Sequence, residues 1–192
     1  MRILDLGCGE NKVGNSIGLD SADLPDVDVK HDLLSFPYPF DDESFELIYL
    51  RHVIEHFNLD DINNIFNECW RLLKKDGNLI VIVPHAFSIS AFMDPTHKSY
   101  FTFGSGTFWD SNNQKNYYKN IDSKWNLNKC SSKVTCYNWK RYRLKKLDRL
   151  ISHFFEKRIN KFIDSVHFPS KSDQIVKKSA FHNVDIKWEF KK

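Results

Sequence analysis

Three absences frame this sequence: no two cysteines stand at C-x-x-C spacing, no uninterrupted apolar run approaches a bilayer span of roughly 20 residues, and no repeat or low-complexity tract occurs. The four cysteines, Cys8, Cys69, Cys130 and Cys136, therefore read as reduced cytosolic thiols and not as a disulfide framework. No charged-then-apolar leader opens the chain, so the expectation is a soluble, cytoplasmic protein without a transmembrane segment.

What is present is globular in texture. A chain of 192 residues with 41% hydrophobic and 15% aromatic content can bury one sizeable core, which implies a single domain over 1–192. The net charge of +3 hides an asymmetry: residues 1–137 hold 13 Lys and Arg against 19 Asp and Glu, whereas residues 138–192 hold 15 against 6. A basic end on an acidic body suits an anionic partner such as RNA, a phospholipid surface or a phosphorylated substrate, and equally suits plain solvated helix faces.

The opening run Arg2-Ile3-Leu4-Asp5-Leu6-Gly7-Cys8-Gly9 reads as a buried strand that turns sharply at Gly-x-Gly, where backbone N–H groups can approach a ligand. Three further short apolar runs end in polar residues: Ile17-Gly18-Leu19-Asp20, Val27 to Asp32, and Phe45 to Leu50 before Arg51-His52. Four strand ends would then meet at one crevice, with an acid after the second placed to accept from ribose hydroxyls. Only about ten residues separate the first two runs, fewer than a helical crossover needs, so residues 10–16 are expected to be a loop with at most one helical turn.

These segments, LDLGCG (4–9), GLD (18–20), HDLLSFPYPFDDESFELIYLRHVIEHF (31–57) and NECWRLLKKDGNLIVIVPH (67–85), resemble the class I S-adenosylmethionine-dependent methyltransferases from about residue 2 to about residue 110. Within that family the likeness is to small bacterial and archaeal members whose strand-five loop reads like Asp94-Pro95-Thr96-His97-Lys98. The resemblance implies an α/β Rossmann-like, doubly wound, mostly parallel sheet, here with a shortened first crossover and a C-terminal helical and strand extension. Residues 1–84 would be the cofactor half and residues 85–192 the substrate loops, basic helix and terminal strand. It also implies S-adenosylmethionine as cofactor. Asp5, Gly7, Cys8 and Gly9 would surround its amino-acid part and Asp20 its ribose. Asp32 and Leu33 would hold the adenine, and Arg51 and His52 would line the methionine end.

Further along, Leu59 to Lys75 is predicted as a helix capped by Asn58, with Lys74 and Lys75 at its C-terminus and Asp76-Gly77 closing it. Leu79 to Val83 is predicted as a central parallel strand, and residues 85–120 as a long functional loop region. A strand is expected around Val134 to Tyr137, an amphipathic basic helix over Arg141 to Val166, and a half-buried terminal strand over Val184 to Phe190.

Candidate catalytic residues are His97, Asp94 and His56. His97 suits a general base or substrate clamp, since imidazole accepts protons near neutral pH, although Asp94-Pro95 equally suits a simple turn. Five histidines, His31, His52, His56, His85 and His97, sit at or near strand ends, but with no tight ligand spacing beyond His52/His56 no metal is assigned. Phe92, Phe101, Phe103, Phe108 and Trp109 are expected to wall the acceptor pocket, or else to be plain core.

The reading that follows is methyl transfer to a small-molecule, saccharide or lipid-linked acceptor. No Asn-Pro-Pro-Tyr type motif follows the fourth strand, which argues against amino methylation of adenine or glutamine. The alternatives are an RNA or protein methyltransferase using the basic C-terminal segment, and an inactive scaffold that binds S-adenosylmethionine. Peripheral membrane contact through the basic helix is a further option, nucleic acid is not favoured as partner, and the oligomeric state is open.

Overall fold

The computed structural model describes residues 1–112, 124–136 and 182–192. Seven strands form one sheet: β1 (Ile3–Leu6), β2 (Ser16–Asp20), β3 (Val29–Lys30), β4 (Phe45–Arg51), β5 (Leu73–Pro84), β6 (Asn126–Cys136) and β7 (His182–Lys191), in the order β3-β2-β1-β4-β5-β7-β6. The first five run parallel, and β7 pairs antiparallel with both β5 and β6. This is a Rossmann-like α/β sheet, mostly parallel, as expected.

The links β1–β2 and β2–β3 are turns and contain no helix, so the shortened first crossover is a feature of the fold. It is possible because the chain closes on itself tightly: Gly7 N–H donates to Leu19 O at 2.7 Å and Asp28 N–H to Gly18 O at 2.9 Å. A side chain at residue 18 would lie 2.6 Å from Asp26 O, so this crossing needs glycine. The third run pairs with β2 only at Val29 and Lys30, shorter than the sequence pattern suggests.

Helix α1 (Leu59–Leu72) starts as predicted, with Asn58 Oδ1 accepting from Asp61 N–H at 3.0 Å and Asp60 and Asp61 in the first turn. Its end differs. Leu73 already pairs with Phe45 in the sheet and is fully buried, and Lys74 Nζ reaches Glu46 at 2.6 Å. Sheet pairing of a buried leucine outweighs continuation of the helix, so residues 73–75 belong to β5. Asp76, at φ 64°, and Gly77 then make an irregularity inside that strand and do not close a helix.

The core lies where α1, through Ile62, Ile65, Phe66, Cys69 and Leu72, meets the sheet residues Leu4, Leu6, Ile48, Leu50, Leu79 and Val81. β7 alternates as expected, with Val184, Ile186, Trp188 and Phe190 fully buried. The irregular stretch after Pro84 contains a short helix, α2 (Ile89–Met93), and a 3-10 segment (Phe103–Trp109). Phe101, Phe103 and Trp109 pack into the core, Trp109 donating to Asn63 Oδ1 at 3.0 Å, so three of the five aromatics expected to wall a pocket are structural. Phe92 and Phe108 are exposed. The strand expected near residue 134 is longer than its sequence signal, beginning at Asn126. The predicted basic helix over 141–166 lies outside the described residues.

Candidate functional site

At the C-terminal ends of β1, β2 and β4 the sheet opens into a cavity of about 200 Å³ lined by Gly7, Asp20, Ser21, Asp32, Leu33, His52, Val53, His56 and Phe57. This is where open α/β sheets present ligand sites, because neighbouring loops leave the sheet in different directions and expose the strand ends. Five expected cofactor residues, Gly7, Asp20, Asp32, Leu33 and His52, border one space. Asp5, Cys8, Gly9 and Arg51 are not among its lining residues.

Gly7 and Gly9 adopt φ of 66° and 54°, which favour glycine, and a Cβ on Gly7 would lie 2.5 Å from Val53 Cγ2. Asp20 accepts from Gly9 N–H at 3.0 Å through Oδ2 and from Ala22 N–H at 2.9 Å through Oδ1. Each carboxylate oxygen keeps a second lone pair, so Asp20 can brace the loop and still accept from a ligand hydroxyl. Asp32 makes the same kind of local turn bond, from Leu34 N–H at 2.9 Å. Tyr38 Oη donates to Leu33 O at 2.9 Å and fixes the segment from beneath.

Behind the loop, Asp5 is almost fully buried. Its Oδ2 accepts from Val13 N–H at 2.8 Å, and its Oδ1 has no hydrogen-bond partner. Burial raises the Asp5 carboxyl above the usual range, opposed by the Val13 bond and by the charges of Arg51 and Lys12. Burial, with the charges of Asp5 and Asp20, pushes the Cys8 thiol up to about 11, so Cys8 is no nucleophile at neutral pH. Arg51 is committed to Asn11 O through Nη2, which ties the loop to the end of β4.

The other side of the cavity is built by histidines. His52, at φ 56°, sits with Nδ1 3.4 Å from Glu55 Oε1 and Nε2 3.8 Å from Asp185 Oδ2. The Glu55 carboxylate, with Asp185 adding, holds the imidazole above its ordinary range against the opposing effect of burial. His56 Nδ1 lies 2.9 Å from Thr96 Oγ1, and Thr96 donates in turn to Asp94 Oδ1 at 2.6 Å. His97 Nδ1 bonds Ala91 O at 2.9 Å, and its ring meets that of His56 edge-to-face at 4.8 Å between centroids. Asp94 is thereby a turn residue that positions Thr96 and, through it, His56. The Thr96 hydroxyl and N–H together hold the Asp94 carboxyl below the usual range.

His31 and His85 fall elsewhere. His31 bonds Ser35 O at 2.7 Å, and His85 is fully buried, accepting from Phe87 N–H at 3.1 Å. Sequence reasoning missed Glu55, which is fully buried between His52 and His56 with neither carboxylate oxygen hydrogen-bonded. The signal was an acid inside the apolar run Val53-Ile54-Glu55, flanked by histidines at 52 and 56.

Residues 15–81 match the family model described as "Methyltransferase domain", a span that runs from β2 into β5 and starts after the glycine turn. No curated protein matches the chain. Among solved structures, an S-adenosylmethionine-dependent methyltransferase from Archaeoglobus fulgidus superposes at a TM-score of 0.57 with 19% identity, covering 100% of this chain and 86% of that one. Another from Methanosarcina mazei gives 0.56 with 12% identity and coverage of 100% and 92%. One from Mesorhizobium loti gives 0.52 with 12% identity and coverage of 100% and 90%. The likeness to these structures is one of fold. With the family match it supports an enzyme of the S-adenosylmethionine-dependent methyltransferase type and implies that cofactor. The residues present fit it: Asp20 and Asp32, on the cavity lining, offer acceptors to a ribose and an adenine amino group.

Proposed function

We propose that this chain transfers a methyl group from S-adenosylmethionine to a small-molecule, saccharide or lipid-linked acceptor. The observation that carries the reading is one shared cavity bordered by Gly7, Asp20, Asp32 and Leu33 on one side and His52 and His56 on the other. When bound, S-adenosylmethionine supplies an electrophilic methyl group, so the protein's own work is to bind, align and manage a proton.

In this reading Asp20 holds the ribose hydroxyls, and Asp32 and the Leu33 N–H hold the adenine. Gly7 and Gly9 admit backbone close to the ligand, while Arg51 and His52 border the methionine end. Asp5 and Cys8 support the loop from behind, Asp5 with one free acceptor oxygen. His97 serves the acceptor side. Its Nδ1 donates to Ala91 O, which leaves Nε2 as the lone pair that takes a proton from an acceptor hydroxyl or amine. Beside it, α2 exposes Ile89, Phe92 and Met93, with Phe92 stacked on Tyr100 at 5.1 Å. That apolar surface favours an acceptor with an apolar part over a purely ionic one.

Incubating the protein with methyl-labelled donor and separated metabolite, lipid and RNA fractions tests the assignment. Label entering a metabolite, glycan or lipid fraction supports it. Label entering RNA alone, or no fraction at all, overturns it.

A further inference from the structure

The histidines beside the cavity have an arrangement that a general base does not require. Glu55, His56 and His97 each offer one ligand atom, and these atoms lie within 4.8 Å of one another. Glu55 is fully buried, and neither of its carboxylate oxygens has a hydrogen-bond partner. His52, half exposed, stands at an ion-pair distance of 3.4 Å. A buried carboxylate is costly unless something charged or hydrogen-bonding meets it; His52 meets Oε1, and Oε2 is left for a cation.

Both imidazoles are already set for ligation. Ala91 O can only accept, so His97 carries its proton on Nδ1 and leaves Nε2 as a donor of electrons. The Thr96 hydroxyl gives its hydrogen to Asp94 Oδ1, so it accepts from His56 Nδ1–H, and His56 Nε2 is likewise left as a lone pair. Carboxylate, hydroxyl and carbonyl groups that fix a histidine through its far nitrogen are the outer partners that metal ligands use. Two neutral imidazoles and one carboxylate make the donor set of open catalytic zinc sites and of non-haem iron(II) sites.

We propose that Glu55, His56 and His97 bind one divalent transition-metal ion of the zinc class at the edge of the cavity, with open coordination positions turned to the acceptor side. Ligation at roughly 2.0–2.2 Å requires the three side chains to draw together by about an ångström. His97 sits on the short turn after α2, and the next two residues, Lys98 and Ser99, donate to Glu55 O, so the turn and Glu55 are tied together. In the loaded site His97 is a ligand, and the metal takes over holding the acceptor. The proposal does not depend on methyl transfer, because its readout is the metal itself.

The test uses the untagged full-length protein, stripped with chelator and titrated with zinc against a chromophoric competitor. Cobalt absorption serves as a second probe. One zinc per chain is expected, with visible cobalt bands of low coordination number. Affinity should fall at least tenfold in His97→Ala and Glu55→Gln. It should fall by about 10–100-fold in Thr96→Val, which removes only the partner that orients His56. His31→Ala, in a histidine outside the cluster, should bind as the wild type does. Should Glu55→Gln fail to fold, the partly exposed His97 and the exposed Thr96 decide the matter. Wild-type affinity no higher than that of His97→Ala, or no higher than that of Thr96→Val, would overturn the proposal.

Discussion

Asp20 braces two backbone N–H groups and borders the cavity at once. Gly7 is the sharper test of the local geometry. A methyl group there would press into Val53 at 2.5 Å and force a left-handed φ on alanine. Gly7→Ala should lower stability by about 1–2 kcal/mol from backbone conformation alone, read from urea unfolding midpoints; an unchanged midpoint would contradict the packing. His97→Gln should leave donor affinity unchanged and slow turnover by roughly 10²-fold or more. Undiminished turnover would remove His97 from the chemistry. That Gly7, Asp20 and Asp32 border one crevice was legible in the sequence because a glycine turn and strand-terminal acids carry a spacing signal. Glu55 was not, since its environment is made by Lys98 and Ser99 folding back to donate to its backbone carbonyl from more than 40 residues away.

Among the elements, α1 and β5 show where pattern suffices and where pairing decides. The Asn58 cap follows from side-chain chemistry alone, and Asn58→Ala should cost about 1 kcal/mol, measurable as a lowered thermal midpoint. The far end of α1 is set by what Leu73 meets across the sheet, which no local period announces. Glu46 reports on that junction. Its carboxyl accepts from Lys74 and from Arg2 N–H, which hold it down at about 2 against an ordinary 4.5. A carboxyl depressed on folding contributes stability that is complete above pH 4.5 and is lost as pH falls through the folded value. Lys74→Met should therefore move the Glu46 titration upward by NMR and narrow the acid-stability difference between pH 4.5 and 2. An unmoved titration would show that the pair is not formed in solution.

For the whole molecule, the first five strands were written in successive apolar runs and β7 in its alternation, whereas their order in the sheet is seen only in the structure. The aromatic stretch was harder to read, because Phe101, Phe103 and Trp109 could face a ligand or the core, and packing against Phe66, Trp188 and Asn63 settled it. Among the described residues no helix is long and apolar enough to cross a membrane. If the acceptor is a neutral small molecule, the ratio kcat/KM should change little between 50 and 200 mM salt, whereas gripping several phosphates would cost about 10³-fold or more. A steep salt dependence would transfer weight to the basic segment over 138–192.

The most direct measurement is calorimetric titration of the full-length protein with S-adenosylmethionine, alongside Asp20→Asn. The expected result is saturable binding of one donor per chain, clearly weakened in the variant. No heat at millimolar donor, or equal affinity in both proteins, would contradict the cavity between Gly7, Asp20 and Asp32 as the donor's place.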